Sequence, residues 1–375
     1  MRIIIEEIKK IYNLKILMLL VIGTVVFYEL FILFDIQNFP NGRPALDGYN
    51  ISVAMQQNYG NEMDEKEFVD FKSRYADNVA QANALIQENQ VFQKAGITTY
   101  EAMQNLETVE RELYSRLVKE FQHMNIDSYF LLHEQASMID KYENPINWAE
   151  YEKMSADRQE RMNEIITQGN VRSVLHNVVF VNYNTLISKF SVFIVLCIIF
   201  MITPMLIRDK LHLVSNLQCA TKYGRKLLTS QLIAAIIATV LVITIQVALF
   251  LWVYSYNHTE MFYGANISSC FNLPFWFDIT FGQYIALGMG MMYVMGVGIT
   301  CIAFVISRLC KSYISAIAAQ IPVIFIMAVL CNQVFGFSFY INKIKYYEIF
   351  IVIPLLILGF CAALTITSRE SKVDI

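Results

Sequence analysis

The sequence predicts an all-α polytopic membrane protein with six transmembrane helices, an N-terminal interfacial helix, a cytoplasmic coupling helix and a mostly helical extracellular domain. Hydrophobic residues fill 56% of the 375 positions and charged residues only 16%, against about a quarter in soluble domains. Six apolar runs are long enough to cross a bilayer. A long acidic stretch separates the first two runs. Neither this stretch nor the membrane segments around it have the basic pattern of a nucleic-acid-binding protein.

The N-terminal region combines a basic amphipathic segment with an apolar run. Residues 1–15 place Ile4, Ile8 and Ile11 on one stripe, which predicts a cytoplasmic interfacial helix. The run at 16–35 is too long for the core of a signal peptide and lacks an A-x-A site, so it predicts TM1. Glu29, in the outer part of TM1, is either a functional acid within the membrane or a side chain that reaches the interface.

Residues 36–186 predict an extracellular helical domain. They carry 13 Lys and Arg against 22 Asp and Glu, a net charge of −9. Apolar residues recur at three- and four-residue steps from Phe68 to Ile86, which is typical of an amphipathic helix. Thr98 and Glu101 have the spacing of a capping box at the start of a second helix. Two further helices are expected at 128–142 and 155–168.

The remaining segments alternate between spans and connections. In order, they are TM2 at 187–207, a cytoplasmic coupling-helix loop at 208–227, TM3 at 228–254, an extracellular aromatic loop at 255–280, TM4 at 281–306, TM5 at 312–331, an extracellular loop at 332–346, TM6 at 347–367 and a cytoplasmic tail at 368–375. Pro204 and Pro322 are candidate hinges. Glycines in TM4 predict close helix packing. The aromatic residues of 255–280 are expected at the membrane interface.

The short connections differ in their content of Lys and Arg, which sets the expected orientation. One side carries Arg2, Lys9, Lys10, Lys15, the five basic residues of the central loop, Arg308, Lys311, Arg369 and Lys372, and the other carries Lys343 and Lys345. Cytoplasmic loops are the basic ones, so both termini are predicted in the cytoplasm and residues 36–186 outside a plasma membrane.

The sequence contains no motif that predicts catalysis or metal binding. There is no GxxxxGK[ST], HExxH or GxSxG, and no Cys/His group with metal-ligand spacing. No catalytic residue, metal site or bound cofactor is therefore expected in this chain. Cys270 and Cys331 are both expected outside, where they either pair or remain small apolar residues.

The central loop carries a family resemblance. Leu211, Val214 and Leu217 would form one apolar face of a short helix that stops at Tyr223-Gly224. Asp209, Leu217, Thr221, Gly224 and Arg225 resemble a pattern in permease subunits of ABC-2 type transporters, and the run TKYGRK at 221–226 is similar to the version in Gram-positive relatives. Two positions depart from that pattern: Leu213 replaces a frequent Gly, and Gln231 lies where a Lys is frequent.

The resemblance implies a complex of two permeases, as a homodimer or related heterodimer, with two ATP-binding subunits in lipid. ATP and Mg would bind the partner ATPase, and nucleic acid has no place in the complex. A coupling helix would dock on the ATPase and move TM2 and TM3 as levers. The coupling residues implied are Asp209, His212, Asn216, Thr221, Lys222, Gly224, Arg225 and Lys226.

The predicted function is that of a non-catalytic permease in an ATP-driven exporter. Apolar spans and the aromatic loop favour a hydrophobic or amphipathic substrate, such as a peptide, an antimicrobial or a lipid. Gln246, Gln320 and Glu29 are the candidate cavity residues. One alternative is a receptor or scaffold whose extracellular domain binds a partner. Another is a membrane enzyme acting on lipids, with Glu29 or Glu348 as its acid.

Overall fold

A computed structural model describes residues 2–146, 148–211 and 224–372. Within these ranges the regular secondary structure is helical, and only isolated bridges represent β-structure. The predicted all-α fold is therefore confirmed. Six helical stretches are long and apolar enough to cross a membrane, which supports a multi-pass membrane protein.

Fifteen α-helices form in the described ranges. They are α1 (Arg2–Ile11), α2 (Leu14–Phe27), α3 (Leu33–Gln37), α4 (Ala45–Tyr59), α5 (Glu65–Glu88), α6 (Gln90–Ala95), α7 (Tyr100–Val109), α8 (Arg111–Glu143), α9 (Trp148–Tyr151), α10 (Ala156–Thr167), α11 (Asn177–Leu211), α12 (Gly224–Tyr254), α13 (Phe281–Leu309), α14 (Tyr313–Phe335) and α15 (Tyr347–Lys372). A π-helical turn, Tyr28–Ile32, joins α2 to α3 and completes the first candidate span, Leu14–Gln37. The other candidate spans lie in α11 to α15.

The chain divides into two compact units. Unit 1 comprises Met1–Asn38, Asn182–His258 and Gly282–Ile375, and unit 2 comprises Phe39–Val181 and Thr259–Phe281. The candidate spans belong mainly to unit 1. Unit 2 corresponds to the predicted helical domain, and it also takes in most of the aromatic segment that was predicted as a separate loop.

The helices of unit 1 differ in how much surface they bury. In the most apolar 18-residue stretch of α11, 78% is buried inside the protein. The corresponding stretches of α14 and α15 are 22% and 17% buried. Helix α11 is therefore the centre of the unit. Helices α14 and α15 leave apolar side chains at the surface, as expected for helices that face lipid.

Glycine allows three helices of unit 1, α12, α13 and α15, to approach closely. A Cβ atom at Gly359 of α15 would lie 2.6 Å from the carbonyl oxygen of Gly298 in α13. At Gly296 a Cβ atom would lie 2.4 Å from Ile243 Cδ1 of α12. The close packing predicted for this glycine-rich helix is thus confirmed at Gly296 and Gly298.

The break between α1 and α2 has a local cause. The Asn13 side chain accepts hydrogen bonds from the backbone N–H groups of Lys15 and Ile16, which caps the start of α2. Helix α1 packs against α12, and the Tyr12 hydroxyl donates to the Ala238 carbonyl oxygen at 2.6 Å. The basic amphipathic segment is therefore a separate helix that is fixed to the third candidate span.

Unit 2 has its own apolar core among α5, α6, α7 and α8. Its buried members are Ala82, Ile86, Phe92, Tyr100, Met103, Leu117, Phe121 and Leu132. A capping box between Asp64 and Glu67 starts α5, and left-handed Gly96 ends α6. The capping residue of α7 is Thr99, whose side chain accepts from Ala102 N–H, so the predicted capping box at Thr98 is wrong by one residue.

Helix α8 consists of two helical parts that meet at a kink, and the second part confirms the helix predicted at 128–142. Helix α8 runs from 111 to 143 with non-helical angles at Asn125, and the Asn125 side chain caps the second half by accepting from Ser128 N–H. The second candidate span also starts earlier than the predicted residue 187, because α11 begins at Asn177.

The aromatic segment belongs to the interior of unit 2. Phe262, Phe271 and Phe275 are at most 1% exposed, and the rings of Phe275 and Phe180 lie 4.9 Å apart. The prediction that these side chains lie at the membrane interface is therefore wrong. The ring of Phe262 packs near Tyr49 of α4, and the ring of Phe275 packs near Phe180 in the first turn of α11, as in an ordinary domain core.

An ion pair ties the aromatic segment to α10. The Arg161 guanidinium donates to Asp278 Oδ1 at 2.5 Å and Oδ2 at 3.1 Å, and its Nε donates to the Phe275 carbonyl oxygen at 2.9 Å. Arg161 is 5% exposed, so these bonds satisfy a buried cation. Cys270 of this segment and Cys331 of unit 1 are both free thiols.

Candidate functional site

Three helices of unit 1 bring polar side chains together beside the central loop. Glu7 of α1, Asp209 near the end of α11 and Gln231 in α12 are each at most 8% exposed. Gln231 Nε2 donates to Asp209 Oδ2 at 3.0 Å and to Glu7 Oε2 at 3.3 Å. An amide nitrogen has two hydrogens, so Gln231 can bond both carboxylates at once.

Lys10 supplies the cation of this group. Its Nζ lies 2.5 Å from Glu7 Oε1 and 3.9 Å from Asp209 Oδ2, and its side chain is 35% exposed. We call these four residues the Glu7 cluster. Two carboxylates share one ammonium and one amide. Loss of the ammonium or of the amide therefore leaves a buried carboxylate without one of its partners.

The Glu7 cluster joins the two ends of the predicted coupling segment. Asp209 lies two residues before the end of α11, and Gln231 lies seven residues after the start of α12. A hydrogen bond of 3.0 Å therefore closes the chain around residues 212–223. Glu7 and Lys10 join α1 to the same group, so the cluster links three helices.

Four of the eight predicted coupling residues cannot be compared with the structure. His212, Asn216, Thr221 and Lys222 lie outside the described residues. Gly224, Arg225 and Lys226 form the first turn of α12. Asp209 is the member of the predicted set that the structure places in the Glu7 cluster.

The end of α11 also binds α13. Lys210 Nζ donates to the carbonyl oxygens of Arg308 and Cys310, the latter at 3.0 Å. Ser307 Oγ donates to the Thr203 carbonyl oxygen at 2.7 Å and accepts from Leu206 N–H at 3.2 Å. These contacts attach the last turns of α11 to the fourth candidate span.

Pro204, a predicted hinge, lies between the two backbone groups that Ser307 binds. Proline has no N–H group, so a helix loses one hydrogen bond where it occurs. The Ser307 hydroxyl bonds the backbone on both sides of Pro204. The second predicted hinge, Pro322, lies inside α14. Whether either residue acts as a hinge stays a prediction.

The three candidate cavity residues occupy different positions. Gln320 lines an apolar cavity of about 220 Å³ among α2, α11 and α14, where its Nε2 donates to Thr203 Oγ1 at 3.0 Å. Gln246 Nε2 donates to Thr24 Oγ1 at 2.8 Å, outside the lining of that cavity. Glu29 is exposed in the π-helical turn of the first span.

The Gln320 cavity has the lining expected for an apolar group. Besides Gln320 and Thr203 it is formed by aliphatic and aromatic side chains and by Pro204. Gln320 Oε1 is buried and accepts no hydrogen bond from the described residues. The structure does not bring Gln320, Gln246 and Glu29 into one site. It also gathers no group of three His, Cys, Asp or Glu able to hold a metal among the residues it describes.

Several residues of this site were not identified from the sequence. Glu7 and Lys10 are three residues apart on α1, and an acid within a basic helix is the signal that could have marked them. Gln231 was noted only as a departure from the family pattern. Ser307 has no such signal, because it meets α11 through a contact that spans 104 positions.

Comparison with protein-family models, with curated proteins and with solved structures finds no match to this chain.

Proposed function

We propose that this chain is the permease subunit of an ATP-binding-cassette exporter in a plasma membrane. Two copies, or one copy and a related chain, would form the pathway. A separate subunit would bind ATP and Mg and hydrolyse the nucleotide. Both termini would lie in the cytoplasm, and unit 2 would lie outside.

The observation that carries this proposal is the Glu7 cluster. A coupling segment works only if its movement reaches the spans, and a flexible loop would absorb that movement. Here the two helices that flank the segment are bonded to each other through Asp209 and Gln231, and both are bonded to α1. Force applied to residues 212–223 would therefore reach α11, α12 and α1.

Contacts of Lys210 and Ser307 would extend this path to α13. In the proposed cycle, closure of the ATPases pushes the coupling segment, and the end of α11 moves with it. Pro204 would be the point at which the part of α11 before residue 204 bends relative to its last turns, because a proline interrupts the helix hydrogen bonds there.

The proposed cargo is hydrophobic or amphipathic. The apolar spans and the Gln320 cavity support this class. The aromatic segment does not support it, because Phe262, Phe271 and Phe275 lie in the interior of unit 2. A peptide, an antimicrobial or a lipid all remain within the proposed class.

Isolation of the chain from its native membrane in mild detergent tests the proposal. We expect an ATP-binding subunit with a phosphate loop to co-purify, and we expect Asp209→Asn to lower the ATP turnover of the complex. The matched control is Asp77→Asn, an exposed acid on α5. A stable complex without any ATPase would refute the proposal and favour a receptor or scaffold.

A further inference from the structure

Unit 2 contains a cavity of about 620 Å³ among α4, α5 and α8. Its volume lies within the range of about 300–1,000 Å³ that is common for ligand sites. Polar and apolar groups contribute to its wall in similar measure. This composition suits a ligand that alternates polar and apolar groups better than a lipid chain.

The cavity is elongated along α4. Asp47 and Tyr59 both line it and are twelve residues apart on that helix. A helix rises 1.5 Å per residue, so the cavity extends over about 18 Å. An extended peptide advances about 3.3 Å per residue, and about five of its residues would span this length.

Amide side chains line the wall and can bind a peptide backbone. Asn50, Asn78 and Gln135 all contribute to the cavity, and Asn78 Nδ2 donates to Gln135 Oε1 at 3.0 Å. Each side-chain amide has two N–H donors and an oxygen that accepts two bonds. After the bond between them, Asn78 and Gln135 keep donors and acceptors of the kind that peptide groups require.

Asp47 provides a buried negative charge at one end. It is 6% exposed, and its Oδ2 accepts no hydrogen bond from the described residues. The nearest cationic atom, Arg43 Nε, is 3.7 Å away, and Arg43 also pairs with Asp127. One guanidinium is therefore shared by two carboxylates. Burial raises the pKa of Asp47, although Arg43 opposes this, so a cation from a ligand would stabilise its ionised form.

The opposite end presents a guanidinium. Arg74 and Tyr59 line the cavity, and both bind Asp70, through Arg74 Nε at 2.8 Å and the Tyr59 hydroxyl at 2.7 Å. The outer nitrogens of Arg74 can still meet a carbonyl oxygen. Residues 36–186 carry a net charge of −9, and this charge attracts cations.

We propose that this cavity binds a short cationic peptide in an extended conformation, with a primary ammonium at Asp47 and its backbone along the amides of α4, α5 and α8. The inference concerns unit 2 alone and does not depend on transport. A failure to bind peptide would leave the exporter proposal intact, and a failure to bind an ATPase would leave the peptide site intact.

Fluorescence anisotropy on the full chain in lipid nanodiscs tests the inference. The probe is a pentapeptide of alternating leucine and arginine with a free amino terminus and a fluorophore at its carboxyl end. The second probe is the same peptide acetylated at the amino terminus. We expect saturable binding of the first probe. Acetylation and Asp47→Asn should each weaken it about tenfold, which corresponds to 1.4 kcal/mol.

The double comparison separates a direct contact from a general effect. If the peptide's ammonium binds Asp47, the Asp47→Asn variant should bind the acetylated and the free peptide with nearly equal affinity. Asp77→Asn removes the same charge from an exposed site in unit 2 and should change affinity less than twofold. Asn50→Ala alters an exposed lining residue, so it tests the site even if Asp47→Asn fails to fold, and it should weaken binding about threefold, the worth of one hydrogen bond.

Three results would overturn the inference. The first is equal binding by the native chain and Asp47→Asn when both are folded. The second is binding that empty nanodiscs reproduce. The third is displacement of the probe by spermidine at the peptide's own concentration, which would indicate a site for small cations.

Discussion

Replacement of Gln231 by Leu should destabilise unit 1 by about 3 kcal/mol. The substitution removes the donors to Asp209 and Glu7, and hydrogen bonds to charged groups contribute about 1.5–3 kcal/mol each. The bond to Glu7 is the weaker one because its length is 3.3 Å. Leucine also leaves two buried carboxylates with Lys10 as their remaining partner in the cluster.

Unfolding of the purified chain by SDS in mixed micelles, followed by circular dichroism, measures this change. Thr229→Val is the matched control, because Thr229 is an exposed polar residue on the same helix. A surface substitution of this kind should change the free energy of unfolding by about 0.5 kcal/mol or less. Gln231→Lys should stay within about 1 kcal/mol of the native chain, since its ammonium would balance the second carboxylate.

A double substitution tests the mechanism of the effect. In an Asp209→Asn background the cost of Gln231→Leu should fall by about 1 kcal/mol, because residues in contact are not additive. Equal stability of Gln231→Leu and Thr229→Val would refute the account of the Glu7 cluster. Full additivity of Gln231→Leu and Asp209→Asn would also refute it.

Three further predictions concern single contacts. Gly48→Ala should destabilise unit 2 by about 1–3 kcal/mol in thermal melts, because its Cβ would lie 2.7 Å from His176 Cε1. Gly290→Ala has open space inside a helix, so it should not destabilise the chain. Burial opposes ionisation of Glu134, but His176, whose Nε2 lies 3.3 Å from Glu134 Oε1, together with Lys141 and His133, outweighs it and lowers the pKa of Glu134. The stability that this carboxylate contributes is lost as the pH falls from about 4.3, the ordinary value for Glu, through the lowered pKa, so Glu134→Gln should flatten the acid limb of a pH–stability curve. Ser307→Ala should cost about 1–2 kcal/mol in the SDS assay by leaving Thr203 O and Leu206 N–H without their second partner, and equal stability of Ser307→Ala and the native chain would contradict this.

The spans could be predicted because their signal is local. Each apolar run is contiguous, and the fifth and sixth spans begin within a residue of the predicted positions. The start of α11 was missed by ten residues because its first turns contain buried polar groups. Asn184, for example, is 1% exposed and accepts from the Tyr284 hydroxyl at 2.6 Å. Hydropathy cannot recognise an amide whose hydrogen bonds are satisfied inside the protein.

The candidate site could be predicted only in part because its contacts are distant in sequence. Asp209 was identified through a family resemblance, but Glu7 reaches Gln231 across 224 positions. No local pattern encodes that contact. The aromatic segment shows the same limit. Phenylalanines at 262, 271 and 275 suit either a membrane interface or a domain core. The segment is tied to α10 by the ion pair of Arg161 with Asp278, which composition does not reveal.

Cross-linking mass spectrometry of the complex purified from native membranes tests the central claim most directly. A reagent that joins lysines to carboxylates should link Lys222 and Lys226 to the ATP-binding subunit, and addition of ATP should change the yield of these links. Lys66 on α5 of unit 2 is the control and should give none. Links to the ATPase from Lys66, or their absence at Lys222 and Lys226 while an ATPase is present, would contradict the proposal that residues 212–226 transmit force to the spans.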